Sequence, residues 1–321
     1  MAATTPKGAL ADIEKGKAAP AYYLYGEEPF KIDEFIEKAT AAMFGASRDD
    51  DSVRNGADLT FCVDRIDGAT ATGNDVLEAV QSMGLFGGSG KRLVIVRQAH
   101  QLKEVDALAD TLMGAGKDGP WGENVLLLAA ETLDGRRKFH QWFKKKELAL
   151  EFKPARDAEL AQWVQYLAKK TGAKVSGEAA GMLAVISDGS LYRLAQEIEK
   201  AWLFAGGTKG LEITVDHVSG VGTSQVTHEM IELVRAVLEG KRTRGLLLSE
   251  KLIRAPEDAL GLVGFLTWAL KNPGRGFSPV VSGGLARTRQ LVGALVTLDF
   301  RLKSSGVDAN ALVEEFVIEH T

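Results

Sequence analysis

The sequence predicts an α/β domain followed by all-helical domains, and two observations support this fold class. In the first half of the chain, continuous apolar runs at 93–96 and 125–128 alternate with segments of helical periodicity. This pattern is typical of parallel strands that helices cover on both faces. After Pro154 the strand signals stop and only helical patterns follow. We therefore expect the α/β domain to end near Pro154.

Each predicted element follows from a local pattern. An aromatic run after Pro20 predicts the first strand, Pro29 favours a helix start close to it, and Asn74 is a plausible N-cap for a later helix. The predicted strands of the α/β domain lie at 21–25, 59–63, 93–96, 125–128 and 148–152, and its helices include 30–44, 74–83 and 102–113. Beyond them, helices are predicted at 157–170, 177–186, 191–202 and 214–221, followed by a helical bundle from Thr227 onward.

Composition is that of an ordinary globular protein. Of 321 residues, 45% are hydrophobic and 26% are charged. No apolar run approaches the roughly 20 residues that span a bilayer, and the start lacks the apolar core of a signal peptide, so we expect a cytoplasmic protein. The net charge of −4 argues against a chain that coats nucleic acid by itself. The single cysteine, Cys62, excludes an internal disulfide.

A strand, a glycine and a helix in succession have the layout of a nucleotide-binding unit, but the chemistry is missing. The loop Gly26-Glu27-Glu28-Pro29 offers two carboxylates and a proline without an N–H, whereas a phosphate loop needs backbone donors followed by Lys and Ser or Thr. The segment 84–92 is a second sequence similar to a phosphate loop. However, it precedes a strand instead of following one, and Arg92 stands where Ser or Thr is needed. We expect a degenerate phosphate loop and no cofactor.

The segment 81–86 ends in two large apolar residues at a place where a solvated loop is expected. Glycines and cations surround Leu85 and Phe86, so the flanks cannot easily cover them. An exposed apolar pair on a rigid scaffold is suited to docking on a partner. The alternative is that the pair packs into a helix–strand seam as ordinary core.

A basic run follows the strand at 125–128. It carries six cations and no acid, interleaved with aromatic residues: Arg136, Arg137, Lys138, Lys144, Lys145 and Lys146. Such a run can bind nucleic acid, which makes these residues candidate DNA contacts. The alternative is a solvated amphipathic helix that buries Phe139, Trp142 and Phe143.

Residue patterns of catalysis and metal binding are missing. The five histidines are scattered, and His228-Glu229 is not completed by a second histidine four residues later. No Gly-x-Ser-x-Gly elbow is present. We expect no catalytic or metal-binding residues in this chain.

Taken together, these motifs resemble the delta subunit family of the bacterial DNA polymerase III clamp loader. The resemblance extends along nearly the whole chain and depends on the order and spacing of the motifs. The matching segments are Tyr22-Tyr23-Leu24-Tyr25-Gly26-Glu27-Glu28, the 81–86 segment with its strand, Leu126-Leu127-Leu128 with the basic run, 189–200, and Leu302-Lys303-Ser304-Ser305-Gly306.

The resemblance implies three domains of the AAA+ clamp-loader type. These are an AAA+-like α/β domain at 1–154, a small helical lid at 155–222 and a helical collar at 223–321 that joins a hetero-pentamer. The implied partners are the sliding clamp (beta subunit), the gamma/tau ATPase subunits, delta-prime, and primed DNA through the complex, with no membrane. ATP hydrolysis would occur in the sister subunits, although the chain would belong to a DNA-directed DNA polymerase holoenzyme, a nucleotidyltransferase.

In this family, the segment that matches Leu85 and Phe86 inserts into an apolar pocket of the clamp and helps to open the ring. Gln81 and Met83 match flanking contacts. This sequence departs from the pattern in its glycine content, because Gly84 and the 87–90 run make the tip unusually rich in glycine. Two other functions stay open from the residues alone: an active P-loop NTPase, and a nucleic-acid-binding module that uses Lys144 to Lys146.

Overall fold

The computed structural model describes residues 5–44, 62–82, 91–114, 119–155, 157–187, 189–221, 224–254, 256–271, 278 and 281–321. The chain divides into two compact units, residues 1–154 and 155–321. The first unit is α/β and the second is mainly helical. Among the described helices, none combines the length and the apolar character that a membrane crossing requires.

A five-stranded parallel sheet forms the centre of the first unit. In chain order its strands are β1 (Ala21–Tyr25), β2 (Val63–Asp67), β3 (Leu93–Arg97), β4 (Val125–Ala130) and β5 (Ala149–Glu151). Their order across the sheet is β2-β3-β4-β1-β5. All four pairings are parallel, so helices must return the chain between strands. The central β4 is buried along its whole length.

Helices cover both faces of this sheet. Helices α1 (Pro6–Glu14) and α2 (Pro29–Phe44) pack on one face, and α3 (Gly73–Gln81), α4 (Asp106–Gly114) and α5 (Lys138–Lys145) pack on the other. Alternate side chains of β1 serve the two faces, because Tyr22 and Leu24 join the first core and Tyr23 joins the second. The predicted α/β fold class, with helical segments after it, is confirmed.

Three boundaries in the first unit differ from the prediction. The second strand is Val63–Asp67, so it extends past the predicted end at 63, because backbone pairing to β3 holds a polar edge strand with little apolar signal. Residues 59–61 of that prediction lie outside the described residues. Helix α3 is capped by Thr72, and Asn74 lies inside the helix, because Thr72 and Asp75 form a reciprocal capping box. Helix α4 begins at Asp106, since the predicted start at 102 falls in an irregular segment where Glu104 has a φ of 51°.

The second unit begins with helices α6 (Asp157–Thr171), α7 (Gly177–Ile186), α8 (Leu191–Phe204) and α9 (Val215–Gly220). Ser176 and Ser190 cap α7 and α8. The prediction of helices alone beyond Pro154 was wrong in one respect. Strands β6 (Lys174–Val175) and β7 (Glu212–Ile213) form a parallel pair, and two residues per strand are too few to produce a periodic signal.

Five further helices complete the second unit. They are α10 (Ser224–Glu239), α11 (Arg242–Leu252), α12 (Pro256–Lys271), α13 (Gly284–Ser304) and α14 (Ala309–His320). Helix α12 also contacts α7, where the indole of Trp268 lies so close to Gly181 that a Cβ there would clash with it. The division of this unit into a lid at 155–222 and a collar at 223–321 stays a prediction.

Candidate functional site

The predicted docking tip begins where α3 ends. Gln81 is the last residue of α3 and is exposed. Met83, Leu85 and Phe86 lie outside the described residues. The structure therefore places the two flanks of the tip, Ser82 on the helix side and Lys91 on the strand side, and the roles of the tip residues stay a prediction.

Helix α3 brings the chain to the amino edge of the sheet. It follows the carboxyl end of β2 and leads to the amino end of the parallel strand β3, so it crosses the sheet in the opposite direction to the strands. Val76 and Val80 are fully buried against the sheet. The Thr72 N–H donates to Asp75 Oδ2 at 2.7 Å, and the Thr72 hydroxyl donates to the same oxygen at 2.8 Å. These two hydrogen bonds lower the pKa of the Asp75 carboxyl. The helix is thus fixed along its length.

Arg92 joins the two flanks of the tip, and sequence reasoning missed this role. Its Nε lies 2.6 Å from Oδ2 of Asp64 on β2, and its Nη1 donates to the Ser82 hydroxyl at the end of α3. Ser82 Oγ donates in turn to the carbonyl oxygen of Ala79 at 2.7 Å. The Arg92 and Asp64 side chains are only 18% and 30% exposed, so this charge-assisted contact is partly shielded from water.

Asn124 makes a second link at the same edge. Its Oδ1 accepts from the backbone N–H of Arg92 at 2.8 Å, and its Nδ2 donates to the carbonyl oxygen of Val80 at 2.8 Å. Asn124 is buried, and Val80 provides one of the carbonyls left unsatisfied at a helix end. We name the four side chains of Asp64, Ser82, Arg92 and Asn124 the clasp.

The loop after β1 does not have the chemistry of a phosphate loop. Gly26 has a φ of 139° and lies so close to Phe152 that a Cβ would clash with the Phe152 carbonyl. The Glu28 N–H donates to that same carbonyl oxygen at 3.3 Å, and Pro29 has no N–H. Neither group is available to a phosphate. The Glu28 side chain is buried next to the start of α2, where its charge would repel an anion.

A cleft of about 710 Å³ lies at the carboxyl ends of β1, β3 and β4. Open parallel sheets bind ligands at this edge. Glu27 and Glu131 are exposed in its lining, and the guanidinium of Arg97 pairs with Asp33 of α2. Two carboxylates together with a paired cation give a triphosphate little electrostatic attraction.

The middle of the basic run forms α5, and the apolar side chains of this helix pack against the sheet. Phe139 and Phe143 are buried, and Trp142 is half-buried. The ring centroid of Phe143 lies 5.6 Å from that of Tyr23 and 5.2 Å from that of Phe139. Helix α5 is therefore amphipathic: its aromatic side chains pack on the inner face, and its lysines are exposed on the outer face.

The cations around α5 fall into two groups. Asp134 pairs with Arg136 and Arg137, and the Arg136 N–H that donates to it is the main cause of its lowered carboxyl pKa. The other cations are exposed and, in the part of the chain that the structure describes, form no ion pair: Lys138, Lys144, Lys145 and Lys146. These four lysines could contact phosphates without breaking an ion pair.

His140 is the buried titratable group of α5. Its ring lies 4.9 Å from the ring of Tyr23, and its Nδ1 lies 3.0 Å from the carbonyl oxygen of Asp134. Burial lowers the pKa of the imidazole, although the Asp134 carbonyl partly opposes this shift. The histidine is therefore kept neutral in the folded chain.

We expect acid to destabilise the protein partly through His140. Because its pKa is lowered in the folded state, the unfolded chain binds more protons as the pH falls below 6.5, and the free energy of unfolding decreases. Urea unfolding from about pH 7.5 to about pH 5.5 should therefore show a smaller loss for His140→Gln than for the wild type. An equal loss in both proteins would contradict this assignment.

Comparison with known proteins agrees with the motifs. The DNA polymerase III subunit delta of Bacillus subtilis (strain 168) is 26% identical over 265 residues, which cover 79% of this chain and 72% of that protein. No family model matches the chain.

The chain is also similar to solved structures. The DNA clamp loader delta protein of Bacillus subtilis is 21% identical, with 98% of this chain and 99% of that chain covered and a TM-score of 0.48. The Holliday junction branch migration motor RuvB of Thermotoga maritima is 13% identical, with 74% of each chain covered and a TM-score of 0.44. Because both TM-scores are below 0.5, these two structural similarities do not extend the description of the fold given above. The sequence similarity to the Bacillus subtilis subunit confirms the resemblance that the motifs predicted. Over most of its length, this chain is similar to a DNA polymerase III delta subunit.

Proposed function

We propose that this chain is the delta subunit of a DNA polymerase III clamp loader. In this role it binds the sliding clamp and helps to open the ring, so that sister ATPase subunits can load it on primed DNA during replication in the cytoplasm. The observation that carries the proposal is the similarity over 265 residues to a DNA polymerase III subunit delta.

The geometry of the first unit supports a binding role over nucleotide hydrolysis. The Glu28 N–H is bonded to Phe152, and Pro29 has no N–H, so the loop cannot cradle a phosphate as an active P-loop does. Strand β3 ends at Arg97 and is followed by Gln98, where a hydrolytic site has an acidic residue that holds magnesium. In contrast, the clasp joins both flanks of the predicted docking tip.

Two binding measurements on the purified chain test the proposal. We expect the chain to bind the sliding clamp of its own host, and to take up no Mg-ATP when it is titrated by calorimetry. Absence of clamp binding by a folded chain would contradict the proposal, and tight ATP binding would favour the NTPase alternative. Ring opening can be followed by fluorescence from a pair of dyes across the clamp interface.

The exposed lysines of α5, together with Lys146 directly after it, are proposed to contact DNA. Each phosphate that a lysine neutralises releases condensed counterions. We expect the triple variant Lys144→Ala/Lys145→Ala/Lys146→Ala to weaken DNA binding by the assembled complex. The slope of log affinity against log salt should fall by roughly one per lost phosphate contact.

A matched control removes the same charge elsewhere in the first unit. Lys7, Lys15 and Lys17 are also exposed, so Lys7→Ala/Lys15→Ala/Lys17→Ala reproduces the change in net charge. The two triple variants are compared by fluorescence anisotropy with primed DNA between about 50 and 200 mM salt. Equal salt slopes for both would show that α5 has no specific contact with DNA.

One face of α13 supports the proposed collar. Leu285, Val292, Val296 and Phe300 recur at helical spacing and are exposed, whereas Leu291, Leu295 and Leu298 of the same helix are buried. Large apolar side chains aligned on an exposed helix face are typical of a protein interface. We propose that this face contacts the sister subunits, gamma/tau and delta-prime, in the hetero-pentamer.

Polar substitutions on this face are expected to prevent assembly. Val296 and Phe300 are 66% and 68% exposed, so Val296→Ser/Phe300→Ser should leave the isolated chain folded. Burying these side chains against a partner would contribute about 1.5–3 kcal/mol each, and the double variant should lose at least tenfold in affinity for the other subunits. Size-exclusion chromatography of the mixed subunits measures this loss. Leu203→Ser/Leu247→Ser is the control, since it replaces two similarly exposed leucines.

A further inference from the structure

The clasp gathers side chains that are far apart in sequence. Asp64 lies on β2, Ser82 follows α3, Arg92 precedes β3, and Asn124 precedes β4. All four lie at the amino edge of the sheet or at the helix end that reaches this edge. The pairing of β2, β3 and β4 is made by backbone groups and does not use these four side chains. What the clasp adds is a connection between the end of a helix and two strands.

The connection is centred on Arg92. Its guanidinium contacts both the Ser82 hydroxyl and the Asp64 carboxylate, and its backbone N–H donates to Asn124. The carbonyl oxygen of Arg92 accepts from the N–H of Val125 at 2.9 Å. The side chain and backbone of one residue are therefore held by three different elements. Removal of the guanidinium would free the helix end from β2 and leave the strand pairing intact.

Ser82 at the helix end and Lys91 before the strand are the described residues on either side of segment 83–90. The clasp fixes the distance between Ser82 and Arg92 and the direction of the chain at both. For a segment that must present side chains to a partner, fixed ends reduce the entropy lost on binding. The lysine next to Arg92 does not share this role, because Lys91 pairs with Glu123 at the surface.

We propose that Arg92 is a positioning residue for clamp binding: through the clasp, it holds the ends of the 83–90 segment in the geometry in which the tip engages the clamp. The inference rests on the proposed function and deepens it by assigning a residue that does not itself contact the clamp. It predicts that the effect of Arg92 on clamp affinity depends on an intact tip.

A double-mutant cycle between Arg92 and the tip tests the proposal. Clamp affinity is measured by surface plasmon resonance for wild type, Arg92→Ala, Phe86→Ala and the double variant, with thermal unfolding to verify that each is folded. We expect Arg92→Ala to weaken binding about tenfold in the wild-type background and less than about threefold in the Phe86→Ala background, a coupling typical of residues that act as one unit. Lys91→Ala, which removes a neighbouring cation, should change affinity less than about twofold.

The possible outcomes separate the positioning role from the proposed function. Equal losses in the two backgrounds, or no loss at all, would overturn the positioning role, because a residue that only stabilises the fold is not coupled to the tip. Failure of the wild type to bind the clamp would overturn the proposed function. If Arg92→Ala does not fold, Ser82→Ala removes only the helix side of the clasp, and the same coupling to Phe86 is expected and decisive.

Discussion

Replacement of Leu85 and Phe86 together by alanine is expected to lower the affinity of the chain for its sliding clamp at least tenfold. Burying one leucine and one phenylalanine in an apolar pocket contributes about 1.5–3 kcal/mol each, and about 1.4 kcal/mol changes affinity tenfold. A few such anchors usually carry most of the energy of an interface. Surface plasmon resonance against the immobilised clamp measures the change.

The chain contains a matched control for this experiment. Leu203 and Phe204 form the same dipeptide at the end of α8, and their side chains are more than half exposed. We expect Leu203→Ala/Phe204→Ala to bind the clamp as the wild type does. Thermal unfolding shows whether each variant is folded. If the Leu85/Phe86 variant binds normally, these residues belong to the core and the docking hypothesis is wrong.

The second large effect is expected from Phe143→Ala. Phe143 is fully buried and contacts Tyr23, Phe139 and Trp142. Truncation of a buried phenylalanine leaves a cavity and costs about 3–5 kcal/mol of unfolding free energy. Because the first unit has its own cores, urea unfolding followed by tryptophan fluorescence should detect this loss.

Trp142 is the comparison residue on the same helix. It is half-buried, so part of the side chain that Trp142→Ala removes is already in contact with water. We expect Trp142→Ala to cost less than Phe143→Ala, with circular dichroism as the probe because a fluorophore is lost. The reverse order would mean that α5 attaches to the sheet mainly through its indole.

The sequence predicted most of the regular elements because their signals are local. The run 125–128 is apolar throughout and lies in β4, and Ser176 caps α7 as expected. The edge strand β2 extends to Asp67, past the predicted end at 63, since its polar residues are held by pairing with β3. The β6–β7 pair was missed because each strand has only two residues.

The docking tip was predicted from sequence and stays a prediction, but its support could not be predicted. Asp64, Arg92 and Asn124 are separated by 28 and 32 residues, and only the fold brings them together. No local pattern marks an arginine that will bond to a serine and an aspartate from other elements. In the sequence, Arg92 was noted only because it stands where a phosphate loop needs Ser or Thr. In the structure, its side chain contacts Asp64 and Ser82.

The cleft and the clasp lie at opposite edges of one sheet, and α3, about 13 Å long at 1.5 Å per residue, runs from the carboxyl edge to the amino edge. A side chain altered on one surface has no direct contact with the other. In the proposed function, a fold of this kind gives up the chemistry of its carboxyl edge, while the predicted tip beside its amino edge binds the partner. Division of labour within an assembly of similarly folded subunits then requires only that each subunit retain the edge it uses.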